Sequence, residues 1–323
     1  MNLQNRYRKQ ESVGIVRLIL TTFSMIVLVS CAKESSQLVT ERQLEKSRPT
    51  FGDWCRDREN LSLEAKKTVK ELLQVAGEVV DKNRYAPINC DVANRKLANL
   101  TKLSFYDRDI SDLKPLQSMT NLTHLNLSDN QIKDIKPLAF LTKLTRLDLS
   151  QNRNNKNRNQ ISDLQPLESL TNLTSLSLVG NQISDLKPLQ SLINLTYLAI
   201  DDNQISDLTA LQRLTKLTIL YACCNRINNI TGLQPLTNLK EINLSKNKIS
   251  DITPLQSLTN LTELGLADNK ISDIKPLQSL TKLTIVRLGQ NKISDLKPLE
   301  SLTKLTYEPC KKGVCNQGWW KVF

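Results

Sequence analysis

The chain has 323 residues and a formal charge of +12 at pH 7, with 44 Lys or Arg against 32 Asp or Glu. It carries one histidine, nine glycines and seven cysteines. With His124 alone among small polar residues, no Gly-rich phosphate loop, and acid pairs such as Asp201 and Asp202 that read as turn-solvating side chains, this composition excludes the usual catalytic constellations, and no enzyme activity and no cofactor are expected.

The first 30 residues differ in kind from the rest. Arg6, Arg8, Lys9 and Arg17 form a basic start, and Leu18 to Val29 is an apolar run of 12 residues followed by Ser30 and Cys31. This reads as a signal peptide over 1–30, since the run falls short of the ~20 residues that span a bilayer. Leu28-Val29-Ser30-Cys31 resembles the lipobox of bacterial lipoproteins, which implies cleavage before Cys31, lipidation of its thiol and a membrane anchor in the cell envelope. Ala32 after that cysteine resembles the outer-membrane-directed pattern. The alternatives are an uncleaved membrane anchor, or ordinary secretory cleavage beside an incidental cysteine. The leader's four basic residues and one acid leave +9 on the remainder.

Residues 31–50 are polar and without apolar periodicity, a tether between lipid and domain. Residues 51–96 form the N-terminal cap. Ser62 starts a helix running to about Val80, with Ala65, Val69, Leu72, Leu73, Ala76 and Val80 along one stripe.

Residues 97–306 repeat. Asn181, Asn203, Asn225, Asn247, Asn269 and Asn291 each follow the last by 22 residues, and Asn130 precedes Asn152 by the same step. A fixed period of this length marks a solenoid. In NQISDLKPLQSLINLTYLAIDD, residues 181–202, the apolar positions fit neither a long helix nor a long strand. Leu195, Leu198 and Ile200 belong to LxxLxLxxN, a short strand running into an asparagine. Pro188 then suits the start of a short 3-10 or helical turn, with Asp185 placed to cap it. One coil buries too little apolar surface to offset the ordering of its backbone, so stability comes from stacking. The asparagines should form a structural ladder that satisfies backbone groups left unpaired by the bend. Ten strand segments are expected, from Leu100 to an incomplete one at Leu305, and Arg153 to Asn159 is a seven-residue insertion bulging after the third.

The pattern LTNLTxLxLxxNQISDLxPLxSL resembles the leucine-rich repeat, and its 22-residue length with NQISD and a proline resembles the internalin type of bacterial proteins. The resemblance implies an α/β fold: a leucine-rich repeat solenoid curved as a right-handed superhelix, with a parallel concave sheet, short turns on the convex side and a small helical N-terminal cap. Trp54-Cys55, the helix and Asn89-Cys90 look like the cap of certain cyanobacterial leucine-rich proteins.

Residues 307–323 form a C-terminal cap, in which Trp319, Trp320 and Phe323 cover the last coil or serve as a free docking segment. If Cys31 is lipidated, six cysteines remain for an oxidising compartment. The stack separates its ends by about ten strands at ~4.8 Å each, so the expected disulfides are Cys55 with Cys90 and Cys310 with Cys315. Cys223 and Cys224 are adjacent in an extended segment where side chains diverge, and free thiols are expected. No metal site is expected, because His124 lies four repeats away, about 20 Å.

The third, fifth and seventh residues of LxxLxLxxN point onto the concave sheet. Val179, Tyr197, Ala199, Ile219 and Tyr221 make an apolar and aromatic centre with polar flanks, which is how a binding hot spot is built. A monomer binding a protein or glycan partner there is the leading reading. A structural or stress-related envelope component without a ligand is the alternative, and a cytosolic scaffold of the phosphatase-regulator sort a remote third. Nucleic acid is not an expected partner, since Lys114, Lys136, Lys187, Lys275 and Lys297 are spread over repeat loops and read as a solvated face.

Overall fold

LxxLxLxxN allows only one short alternation before the chain must turn, and each strand is accordingly three residues long. The computed structural model describes residues 49–78, 88–151 and 159–306, and its elements lie within one compact unit, Thr50–Phe323. The strands are β1 (Lys102–Ser104), β2 (His124–Asn126), β3 (Arg146–Asp148), β4 (Ser175–Ser177), β5 (Tyr197–Ala199), β6 (Ile219–Tyr221), β7 (Glu241–Asn243), β8 (Glu263–Gly265) and β9 (Ile285–Arg287). They form one parallel sheet in sequence order. Each central residue is buried and its neighbours are more exposed, as period-two alternation requires, except that Ala199 and Gly265 are buried as well. Where ten segments were expected, nine strands are present among the described residues. The tenth shows its first pairing, Thr306 N–H to Thr284 O at 3.0 Å, where the described residues end.

Behind the sheet, leucines and isoleucines of successive coils form one continuous core. The asparagines run along one side of it. Asn203 Oδ1 accepts the Ile183 N–H at 3.0 Å, and its Nδ2 donates to Leu178 O, Ile200 O and Asp201 O at 3.0 to 3.2 Å. Asn130, Asn181, Asn225, Asn247, Asn269 and Asn291 make the same kind of rung. Asn152 lies outside the described residues, and the rung expected of it is made by Asn159. That side chain is buried, accepts the Ile132 N–H at 2.9 Å and donates to Leu149 O at 3.1 Å. Asn159 is thus part of the core and not of the bulge, because the rung belongs to whichever asparagine enters the next turn.

A second ladder had no counterpart in the sequence reading. Thr123, Thr145, Thr174, Thr196 and Thr218 each donate Oγ1 to the carbonyl of the equivalent residue one coil earlier, at 2.9 to 3.1 Å. On the opposite side the coils close through 3-10 turns such as Lys187–Ser191, which have proline in their first positions. Asp185 Oδ1 accepts the Lys187 N–H at 2.9 Å, the capping role expected of it. In the turn Thr231–Leu233 the proline position is Gly232. A Cβ there would stand 2.1 Å from Leu208 O, so only glycine admits this approach.

Among the described residues three α-helices precede the sheet: α1 (Phe51–Arg56), α2 (Leu63–Val75) and α3 (Cys90–Ala98). Thr50 and Asp53 form a capping box at α1, and Ser62 accepts the Ala65 N–H at the start of α2. The helix expected to reach Val80 stops at Val75, where Gly77 at φ 76° turns the chain and the Glu78 N–H bonds Leu73 O. Val69, Leu72 and Leu73 are buried in the core, and Thr68 Oγ1 donates to Asp112 O at 2.7 Å, tying α2 to the first coil. Cys55 and Cys90 are joined, with Cα atoms 5.6 Å apart, which pins α1 to α3. Cys31, Cys310 and Cys315 lie outside the described residues.

Candidate partner-binding face

The in-register pairing turns the solvent face of the sheet into columns. The column at the first residue of each strand begins Lys102, His124, Arg146, which stand beside one another. Burial and then the Lys102 and Arg146 charges push the His124 imidazole below its usual value. After Ser175 the same column becomes Tyr197, Ile219, Glu241, Glu263. This column therefore runs from basic through aromatic to acidic and ends at Ile285, while in the column beside it Asp148 lies toward the basic end and Arg287 toward the acidic one.

Tyr197 and Tyr221 meet at the centre with ring centroids 5.9 Å apart and planes at 89°, an edge-to-face pair. The Tyr221 hydroxyl donates to Glu241 Oε2 at 2.8 Å. Burial first, then that bond and the Glu241 charge, push the Tyr221 phenol up to about 12. The Tyr197 phenol is raised by burial and by the charges of Asp201 and Asp148. Ile219 pairs Tyr197 on one side and Glu241 on the other.

The five expected contact residues do not all present themselves. Tyr197, Ile219 and Tyr221 adjoin, and Val179 is half-buried after β4. Ala199, expected as a contact, is 2% exposed. It pairs Tyr221 across the sheet, and a methyl group between larger neighbours is left with no surface to offer. Glu241 was missed as a member of this site. Its signal is the sheet geometry, which sets the first position of one strand diagonal to the last position of the strand before it.

Beside the tyrosines, Asp201 Oδ1 accepts the Cys223 N–H at 2.8 Å. Burial pushes the Asp201 carboxyl up. Cys223 and Cys224 are both free and half-buried. Their side chains do not diverge as expected for an extended segment: the sulfurs are 2.9 Å apart. The reason is backbone conformation, since Cys224 has φ 60°. Among the described residues no group of three or more His, Cys, Asp or Glu stands so as to hold a metal ion, and no helix is long and apolar enough to cross a membrane.

The family model "Leucine Rich repeats (2 copies)" matches residues 98–139, 120–169, 157–191, 171–213, 215–257, 237–279 and 259–301. Among curated proteins none matches the chain. Among solved structures, internalin C2 of Listeria monocytogenes is 33% identical over 73% of this chain and 88% of its own, with a TM-score of 0.52. A leucine-rich repeat protein of Leptospira interrogans is 25% identical over 63% of this chain and 59% of its own, with a TM-score of 0.52. The functional domain of InlJ from Listeria monocytogenes, which includes a cysteine ladder, shares the fold at 23% identity and a TM-score of 0.59, over 80% of this chain and 55% of its own. A repeat of 22 residues, a rung of asparagine at each coil, a parallel sheet and this likeness make the chain a member of the leucine-rich repeat family, of the internalin type.

Proposed function

We propose that this is an exported, lipid-anchored binding protein of the bacterial cell envelope that holds a protein partner on the solvent face of its sheet. The internalin-type fold supports a repeat protein that interacts with other proteins. Function on a repeat scaffold has to be argued from its site, and the observation that carries this one is the Tyr197–Tyr221 pair with its hydroxyl on Glu241. Rings of this kind combine apolar area with a polar tip, and an aromatic centre inside a charged rim is the anatomy of a hot spot. Lys102 and Arg146 on one side and Glu241 and Glu263 on the other favour a partner of opposite polarity.

Anchoring is carried by Cys31 and the apolar run before it. In the test, the full chain is expressed with labelled palmitate, crosslinked in cells and recovered. Label on a peptide beginning at Cys31 is expected, and a chain that retains Met1 or takes no label removes the lipoprotein reading. The double variant Tyr197→Ala, Tyr221→Ala is expected to weaken capture of the crosslinked partner by about 2 kcal/mol or more, some thirtyfold, without a lower melting temperature. Equal capture by wild type and variant would leave the structural envelope component as the better account.

A further inference from the structure

Where it is described, the residue before a ladder asparagine takes a left-handed conformation, with φ of 56° at Asp129, 54° at Asp202, 56° at Lys246 and 57° at Asp268. Asn, Asp and Gly tolerate this region best, and other residues occupy it only where the surroundings impose it. The repeat imposes it on Cys224, at φ 60°. Its N–H is held by Ser245 O at 2.9 Å, and the Cys223 carbonyl is held by Asn225 Nδ2 at 3.1 Å. The ordinary alternation of side chains is broken at this peptide, and the sulfurs of Cys223 and Cys224 come to 2.9 Å. No other described repeat places two thiols here. Both cysteines are half-buried, so each keeps some surface open to solvent.

We propose that Cys223 and Cys224 form a vicinal dithiol, a site of covalent modification on the solvent face that small-molecule disulfides oxidise to a Cys223–Cys224 disulfide. Only the last ångström of approach remains, since a disulfide bond is about 2.05 Å long. Burial, the neighbouring thiol and Asp201 raise the proton affinity of the Cys223 thiol, and in the proposed sequence Cys224 attacks first. As thiolate it displaces one sulfur of the reagent, whose S–S bond breaks, and the departing thiolate takes up the proton that Cys224 gave up. Cys223 then attacks the Cys224 sulfur of the mixed disulfide, passes its proton to the second leaving thiolate and closes a small ring through the shared peptide bond. Two electrons go from the pair to the reagent, which ends as two thiols. Cys55 and Cys90, already joined, show that the same chain carries an oxidised pair. The proposal does not depend on a partner at the tyrosines.

Full-length protein is incubated with glutathione disulfide, quenched, alkylated without reductant and digested. The wild-type peptide containing residues 223–224 is expected to be lighter by two hydrogens than its reduced form, to carry neither alkyl group nor glutathione, and to regain two alkylation sites after dithiothreitol. In Cys223→Ser, which lacks the resolving thiol, glutathione on Cys224 is expected to accumulate at least tenfold above wild type. A stable glutathione adduct on the wild-type pair, or two alkylated thiols after full exposure to the oxidant, overturns the proposal whether or not the variant folds.

Discussion

Asp201 does a job that other coils assign differently. In three of them the N–H at the seventh position of the repeat is taken by the side chain two residues back: Ser128 by Asn126 at 2.9 Å, Ser150 by Asp148 at 2.9 Å and Ser245 by Asn243 at 3.1 Å. Tyr221 fills that place before Cys223 and spends its hydroxyl on Glu241 instead, so the acceptor comes from Asp201 of the preceding coil. A buried backbone N–H needs a partner, but here the partner is a carboxylate removed from water, and burial raises its proton affinity above the ordinary value of 3.8. A carboxyl raised in the folded state stabilises the fold fully below its unfolded value and loses that contribution as the pH rises through the folded one. Asp201→Asn keeps the acceptor oxygen without the charge. It is therefore expected to raise the melting temperature at pH 7, with the gap closing as the pH falls toward 4. Thermal melts across that range check it, and a less stable variant at pH 7 would mean that the charge itself is favourable.

At the scale of elements, repetition decided what could be read from the sequence. The asparagine rungs, the prolines opening 3-10 turns and the capping aspartates recur every 22 residues, and each recurrence testifies for the others. Helices α1 and α3 occur once, and so does the glycine that ends α2; only local capping signals mark them, and Gly77 lies where the apolar stripe still continues through Ala76. The sulfur pair was illegible for another reason. Its geometry follows from a left-handed residue that the consensus hides, since glycine stands there in one coil alone, at Gly180. Contacts between turns give the sharpest test of packing. Where Gly232 lies against Leu208 O, the neighbouring coils also join through an extra parallel bridge from Asp207 to Asn229. Gly232→Ala must push these turns apart and is expected to cost on the order of 1 to 3 kcal/mol in urea unfolding. Gly289→Ala meets no atom within 4 Å and should leave the midpoint within ~0.5 kcal/mol. Equal midpoints for both variants would refute the close approach.

For the molecule as a whole, each coil touches its neighbours, so stability is a sum of coils and interfaces, and the ends set where it frays. The first coil is covered by α2, through buried Val69, Leu72 and Leu73 and the bond from Thr68 to Asp112 O. Lys96 of α3 donates to Ala76 O at 2.7 Å, and the Cys55–Cys90 bond fastens α3 to α1. Cys90→Ser is expected to lower stability by about 2 to 5 kcal/mol, with faster amide exchange in β1 and β2 while β7 to β9 keep their protection. Exchange that rises evenly along the sheet would show that the cap is not the local brace described here. One further property lies in the replacement of Asn152 by Asn159. The stack sets its count by arrivals and not by distance along the chain: a coil is complete when an asparagine reaches the rung, whatever length of polypeptide was spent on the way. Seven extra residues pass through one coil while β3 and β4 pair in the same frame as every other couple. Such a stack can take extra residues between a strand and its rung without the strands losing register, so loop length and strand alignment are free to change at separate rates.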